Sequence, residues 1–279
     1  MTIARLTIGE AARRRVLWVL ALLAVIAVVL VTWGVSWLVA EIRNQGEPEL
    51  TVKLVTSQVL IFIAFLFTFV LAMTGAFLGS PAVAADLESG VAQALLARPL
   101  RRSSYLLGRW LGLTIVVGAY AVACALLAIG AIAFVSGYTP PNIVMPVVFL
   151  AFQAIVLLTF AMLLSTRLAP IAGGAVAVVA YGLAWMAGIL GDIGVALNAS
   201  GVAIIGDLGR VLMPTDGLWR GVVYGLEPAA VIAAANETLA RANPFFAAEP
   251  PGPAFVAWAV VWVVIVLALA ITQLRKREL

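Results

Sequence analysis

The sequence predicts an all-α integral membrane protein with six transmembrane helices, and composition and hydrophobic length are the observations that predict it. Of the 279 residues, 64% are apolar and 11% are charged, whereas soluble domains average about 45–50% apolar and about 25% charged. The mean hydropathy is +1.14. A helix crosses a bilayer core with roughly 20 apolar residues, and inside lipid its backbone must be bonded internally. Six stretches meet that length: 16–40, 55–79, 106–136, 145–166, 170–191 and 254–273.

The first stretch follows Arg13, Arg14 and Arg15, an arrangement that a secretory signal peptide also shows. Signal-peptide cores run about 7–15 apolar residues before a small-residue cleavage site. This stretch continues to residue 40 without such a site, so we expect a retained first helix.

The residue inventory argues against an enzyme. The chain has no histidine and a single cysteine, Cys124, which removes histidine-based acid/base chemistry, Cys-His nucleophiles, disulfide frameworks and His/Cys metal cages. Neither lysine, Lys53 or Lys276, follows a glycine-rich phosphate-binding loop. Asp86 and Glu88 are interpreted as solvated charges at a helix N-terminus, with a catalytic dyad as the disfavoured alternative. We therefore expect no bound cofactor or metal on this chain.

The basic residues predict the orientation. Twelve of the 17 fall on segments that share one side if the N-terminus is cytoplasmic: Arg5, Arg13, Arg14, Arg15, Arg98, Arg101, Arg102, Arg109, Arg167, Arg275, Lys276 and Arg277. The positive-inside rule then places both termini in the cytoplasm. It accounts for the basic clusters without nucleic acid.

Residues 80–105 join the second and third helices on the predicted cytoplasmic side, and they exceed the usual 2–8 residues of a helix connection. Pro81 can open a helix and Pro99 can end it. An apolar stripe follows helical spacing between them: Leu87, Val91, Ala94 and Leu95. The pattern predicts an amphipathic helix over 81–97 that docks a cytosolic protein. The alternative is a helix on anionic lipid headgroups.

Residues 192–253 form the predicted extracytoplasmic segment between the fifth and sixth helices. Its apolar residues recur at helical spacing (Val202, Ile205, Leu208 and Leu212) and predict an amphipathic helix at the membrane surface. Six prolines divide the remainder into short pieces.

The middles of the six stretches contain no Asp, Glu, Lys or Arg. Ion-coupled transporters normally need such a group, so the pattern argues against secondary transport. Gln58 and Gln153 lie inside stretches and are possible pathway-lining residues, although most such polar side chains join helices.

Residues 88–109 resemble a known signature. Glu88-x-Gly90, then Leu95-Leu96-Ala97-Arg98-Pro99-Leu100-x-Arg102 and Tyr105-Leu-Leu-Gly108-Arg109 are similar to the segment between the second and third helices of ABC-2 type transporter permeases. Val91 replaces the usual threonine and Arg109 the usual lysine. Residues 213–220 are similar to a stretch in the permeases of nitrous-oxide-reductase maturation transporters.

The resemblance implies one ABC-2 type transmembrane domain over 1–279, with an interfacial N-terminal helix over 1–12 and a coupling loop over 80–105. Its implied partner-coupling residues are Glu88, Gly90, Val91, Leu95, Arg98, Pro99, Arg101 and Arg102. The implied partners are two copies of a separate ATP-binding subunit, which would carry ATP and magnesium, and a second permease chain, identical or closely related.

The implied location is the cytoplasmic (inner) membrane of a prokaryote, where a multi-pass permease in contact with membrane lipid would export a substrate that the residues do not identify. The alternative from another class is a non-transporting membrane scaffold that anchors a cytosolic protein.

Overall fold

The computed structural model describes residues 2–13, 15–90, 101–234 and 243–276, and its regular elements there are all helices. In chain order they are α1 (Thr2–Ala12), α2 (Arg15–Asn44), α3 (Glu49–Gly79), α4 (Pro81–Glu88), α5 (Arg102–Ser136), α6 (Val144–Leu164), α7 (Pro170–Ala196), α8 (Ser200–Leu212), α9 (Thr215–Leu226), α10 (Ala229–Ala234) and α11 (Pro253–Arg275).

Six helices are long and apolar enough to cross a membrane: α2, α3 with its continuation α4, α5, α6, α7 and α11. The six predicted stretches are confirmed as helices of membrane-spanning length and composition. Their extra length lies mainly at the ends, because polar residues such as Arg102–Ser104 extend a helix beyond its apolar part.

Helix α6 lies at the centre of the bundle and contacts α3, α5, α7, α9 and α11. Small residues bring its neighbour α3 close: a Cβ atom on Gly75 would lie 2.9 Å from the carbonyl oxygen of Ala154. Close approach of this kind replaces the hydrophobic driving force that lipid does not supply. Helix α2 is peripheral and buries one stripe, Ala24, Val28, Val35 and Val39, against α3 and α5.

Helix α1 packs along the beginning of α5. A Cβ atom on Gly108 would lie 2.8 Å from Cβ of Ile3, and one on Gly112 would lie 2.7 Å from the carbonyl oxygen of Ala4. The predicted N-terminal helix is thus present as Thr2–Ala12. Its interfacial position in a membrane stays a prediction.

The helix that we expected over 81–97 is interrupted. Helix α4 ends at Glu88, and Gly90 adopts φ +76°, the left-handed conformation with which glycine commonly terminates helices. The helix that begins at Pro81 therefore does not continue past Glu88, and this part of the prediction is wrong. Residues 91–100 lie outside the described part.

Helix α8 runs back along α7. A Cβ atom on Gly191 would lie 2.5 Å from Cα of Gly206, and one on Gly209 would lie 2.8 Å from Cβ of Ala187. The amphipathic helix predicted around Val202–Leu212 is confirmed as Ser200–Leu212. The prediction did not include its position beside the last turns of α7. This position is possible because Gly191 and Gly206 let the two backbones approach closely.

Candidate functional site

A buried ion cluster holds α4, the element that leads into the predicted coupling residues. The Tyr105 hydroxyl donates a hydrogen bond to the Asp86 carboxylate, and the Arg109 guanidinium pairs with the same carboxylate. Arg109 also pairs with Glu10, at 2.5 Å. The cluster joins α4 to α5 and to α1.

The expectation of a solvated Asp86 is wrong, because its side chain is only 13% exposed and that of Arg109 only 12%. Burial of two charges is costly unless they pair. The cluster therefore fixes α4 in one position relative to α5. A signal was available in the sequence: Arg109 lies four residues into an apolar stretch, where an arginine requires a partner.

The predicted coupling residues fall into two groups. Glu88, Gly90, Arg101 and Arg102 are described, and Glu88 and Arg101 are exposed. The others, Val91, Leu95, Arg98 and Pro99, lie outside the described residues.

Arg102 has a structural contact besides its predicted role. Its guanidinium donates hydrogen bonds to the carbonyl oxygens of Leu274 (3.1 Å) and Arg275 (2.9 Å). These carbonyls belong to the last turn of α11, where a cation satisfies orphan acceptors and the helix dipole. Arg102 thus ties the start of α5 to the end of α11.

A second charge network lies at the opposite end of the bundle, among α7, α8 and α9. Arg210 donates hydrogen bonds to Asp192 (2.7 Å) and to Asp216 (2.9 Å), and Arg220 pairs with Asp192. Asp192 and Asp216 are 8% and 4% exposed. Two arginines thus balance two buried carboxylates.

The stretch 213–220 supplies Asp216 and Arg220 to this network. Asp216 fits against α7 only because residue 188 is glycine, since a Cβ atom there would overlap its carboxylate. Trp219 is 1% exposed and donates from its indole N–H to the carbonyl oxygen of Pro244, at 2.8 Å. Burial raises the pKa of Asp216, and the Arg210 guanidinium opposes that shift. These residues fix the three helices against one another.

Helix α11 holds the end of α8. The indole N–H groups of Trp258 and Trp262 donate hydrogen bonds to the carbonyl oxygens of Val211 (3.2 Å) and Leu212 (2.8 Å). Between α6, α7, α8 and α11 lies an apolar cavity of about 520 Å³. Its wall includes Leu208 and Trp262.

The two glutamines proposed as pathway residues both contact the region after α8. The Gln153 amide donates a hydrogen bond to the carbonyl oxygen of Thr215, at 2.9 Å, and the residue is 3% exposed. Gln58 is exposed, and its amide lies 3.5 Å from the carboxylate of the buried Glu227. Sequence reasoning missed Glu227. The pathway role of both glutamines stays a prediction.

Six apolar helices, with α6 at their centre, define a multi-pass membrane protein whose regular elements, in the described residues, are all helices. The profile described as ABC-2 family transporter protein matches residues 1–279. The chain therefore belongs to the ABC-2 transporter family, whose membrane proteins are permease subunits associated in general with an ATP-binding subunit. A search of curated proteins found no significant match.

Proposed function

We propose that this chain is the permease subunit of an ABC exporter in the cytoplasmic membrane of a prokaryote. Two permease chains, identical or closely related, form the membrane domain, and each docks one ATP-binding subunit that carries ATP and magnesium. The permease has no catalytic residues and moves its substrate outward. The observation that carries the proposal is the anchored α4, which leads into residues 88–102 with their resemblance to the ABC-2 coupling segment.

The geometry supports mechanical coupling at this place. Helix α4 follows α3 after only Ser80, and the hydroxyl of that residue donates a hydrogen bond to the carbonyl oxygen of Pro170 at the start of α7. The Asp86–Arg109 pair links α4 to α5. A displacement of residues 88–102 by a bound ATPase would therefore act on α3, α5 and α7 together, since packed helices move as rigid bodies.

The charge distribution supports the cytoplasmic placement of this end. Among the described residues, nine basic residues lie at the α4 end and four at the opposite end, where the four are Arg43, Lys53, Arg210 and Arg220. This asymmetry follows the positive-inside rule.

The resemblance of residues 213–220 to maturation-transporter permeases indicates no substrate. Asp216 and Trp219 in that stretch bond within the chain. The chain has one cysteine and no histidine, so it offers no soft-metal ligand series.

Leu95→Asp tests the proposal. An unpaired carboxylate in an apolar docking contact costs binding energy, so we expect normal membrane insertion together with loss of the co-purified ATPase. Leu50→Asp is the matched control, because Leu50 is 52% exposed and lies at the other end of the bundle. It should retain the ATPase. Full retention by Leu95→Asp would contradict docking at this segment.

Substrate transport distinguishes an exporter from a scaffold. In proteoliposomes, the intact complex should hydrolyse ATP faster when its substrate is present and should accumulate that substrate on one side. A complex that holds its ATPase but shows neither behaviour would favour the non-transporting scaffold.

A further inference from the structure

Glu227 differs from the other buried acids of the chain. Among the described residues, the buried carboxylates of Asp86, Asp192 and Asp216 each pair with an arginine. Glu227 is 0% exposed, and no arginine or lysine of the described residues forms an ion pair with it. A carboxylate in such a place loses hydration without a compensating charge.

Three elements meet at Glu227. The backbone N–H of Ala247 donates a hydrogen bond to its Oε2, at 3.2 Å, and the Gln58 amide on α3 lies 3.5 Å from its Oε1. Next to it, the Tyr138 hydroxyl donates to the carbonyl oxygen of Leu226, at 2.7 Å. Glu227 itself directly follows α9. Its side chain therefore joins α9 and α3 to residues 243–247.

Residues 243–247, called the strap, cover an aromatic cluster. The Phe245 ring packs edge-on against Phe65, with 5.0 Å between centroids. The Pro244 carbonyl accepts the hydrogen bond from Trp219. Ala247 is 3% exposed. Among the described contacts of the strap, the one with Glu227 involves an ionisable group. The contacts with Phe65 and Trp219 are an apolar contact and a neutral hydrogen bond.

In the part of the chain that the structure describes, the charged groups nearest to Glu227 do not form an ion pair with it. Gln58 is neutral, Lys53 on the same helix is exposed, and Arg220 on α9 pairs with Asp192. Tyr138 is a titratable neighbour within the described residues, and burial together with the Glu227 charge raises its pKa. It therefore stays a neutral phenol at physiological pH.

We propose that Glu227 is a proton-controlled clasp: the protonated side chain seats the strap on α3 and α9, and its ionisation releases the strap. Burial raises the pKa of Glu227 to about 7, although the bonds from Ala247 and Gln58 act in the opposite direction. The seated state thus binds the proton more tightly than a released, solvated state.

The sign follows from linkage. Protonation of Glu227 stabilises the seated state fully below the ordinary pKa of a glutamic acid. This stabilisation is lost as the pH rises toward about 7. The release equilibrium should increase by up to about tenfold per pH unit in that window. The Gln58 amide suits both states, because its NH₂ group donates to a carboxylate and its carbonyl accepts from a carboxylic acid.

The test measures access to the strap in the purified full-length protein in nanodiscs. Cys124 is buried and is first replaced by alanine. Ala247→Cys then places a thiol on the strap itself, at a residue that is buried in the seated state. Ala248→Cys, one exposed residue further, corrects for the pH dependence of thiol reactivity itself. The measured quantity is the ratio of their labelling rates between pH 5 and pH 8.5.

We expect the ratio to rise with pH in the Glu227 protein and to stay low at every pH in Glu227→Gln. Gln58→Leu should move the midpoint of the labelling ratio to higher pH, because the hydrogen bond from the Gln58 amide, which lowers the Glu227 pKa, is lost. A flat ratio in the Glu227 protein, the same rise in Glu227→Gln, or an unmoved midpoint in Gln58→Leu would overturn the proposal. The assay needs no ATP, ATPase or substrate, so its result is independent of the proposed exporter function.

Discussion

At the residue scale, the Asp86–Arg109 pair shows how charge and burial act together. The sequence places Asp86 in an arginine-rich connection, where solvation is the ordinary expectation. The fold instead brings it into contact with Tyr105 and Arg109, which lie 19 and 23 positions later in the sequence. The local pattern indicates that Arg109 needs a partner, but it does not identify Asp86 as that partner, because their contact depends on how α4 packs against α5.

A double-mutant cycle tests whether this pair acts as one unit. Arg109→Met leaves the buried Asp86 carboxylate without its cationic partner, although the Tyr105 hydrogen bond remains, and should destabilise the protein by about 3–5 kcal/mol. Adding Asp86→Asn should recover much of that loss, because the two changes are coupled. Thermal or chemical unfolding of the detergent-solubilised protein provides the measurement.

The chain offers a matched control in the Arg43–Glu49 pair, which has a 3.0 Å contact but side chains 46% and 64% exposed. Exposed pairs are screened by solvent, so the same cycle there should give almost additive effects. Additive effects at Asp86–Arg109 as well would mean that the buried cluster does not hold α4.

At the element scale, the spans and the returning helix differ in how far sequence predicts them. The six spans follow from apolar length alone, and α8 follows from the spacing of Ile205, Leu208 and Leu212. The position of α8 beside α7 requires Gly191 and Gly206 to face each other. Glycine positions on two separate helices do not reveal that contact in advance.

The interruption at Gly90 is of the same kind. A glycine after Glu88 is compatible with a continuing helix at a modest cost or with a left-handed terminus. Only the backbone conformation, φ +76°, decides between them. The prediction of one continuous helix over 81–97 was therefore wrong, whereas the docking role of this segment stays a prediction.

Gly188→Ala tests the packing of α9 on α7. The new methyl group would overlap the Asp216 carboxylate and displace it from Arg210, so we expect a loss of a few kcal/mol in unfolding free energy. Gly182→Ala, on the same helix with open space around it, should be neutral or stabilising by up to about 1 kcal/mol. Equal effects of the two substitutions would contradict the network's role.

At the scale of the whole molecule, two charged clusters at opposite ends hold the helical bundle. One fixes the connection between α3 and α5, and the other fixes the hairpin of α7 and α8 against α9. The chain belongs to the ABC-2 transporter family, and the proposed permease function requires an event at one end of the bundle to reach the other. Under that proposal, the helices between the two clusters are the physical route.

The orientation of the bundle is testable with single cysteines. Asn142 and Asn198 are exposed at one end, and Ser103 lies at the other. An impermeant thiol reagent added to intact cells should label cysteines at residues 142 and 198 but not at 103. Ser103→Cys should become reactive after permeabilisation. Labelling of Ser103→Cys in intact cells would contradict the predicted orientation, because it would show that the candidate coupling segment lies outside the cell.

The most direct measurement of the central claim is site-specific cross-linking at Ser89. This residue is exposed and directly follows α4. A photoreactive amino acid at residue 89, activated in living cells, should form an adduct that mass spectrometry identifies as an ATP-binding subunit. The same amino acid at Asn142 should not capture it. Adducts at residue 89 with lipid alone, or with a protein that lacks a phosphate-binding loop, would contradict the account of this chain as an ATP-driven permease.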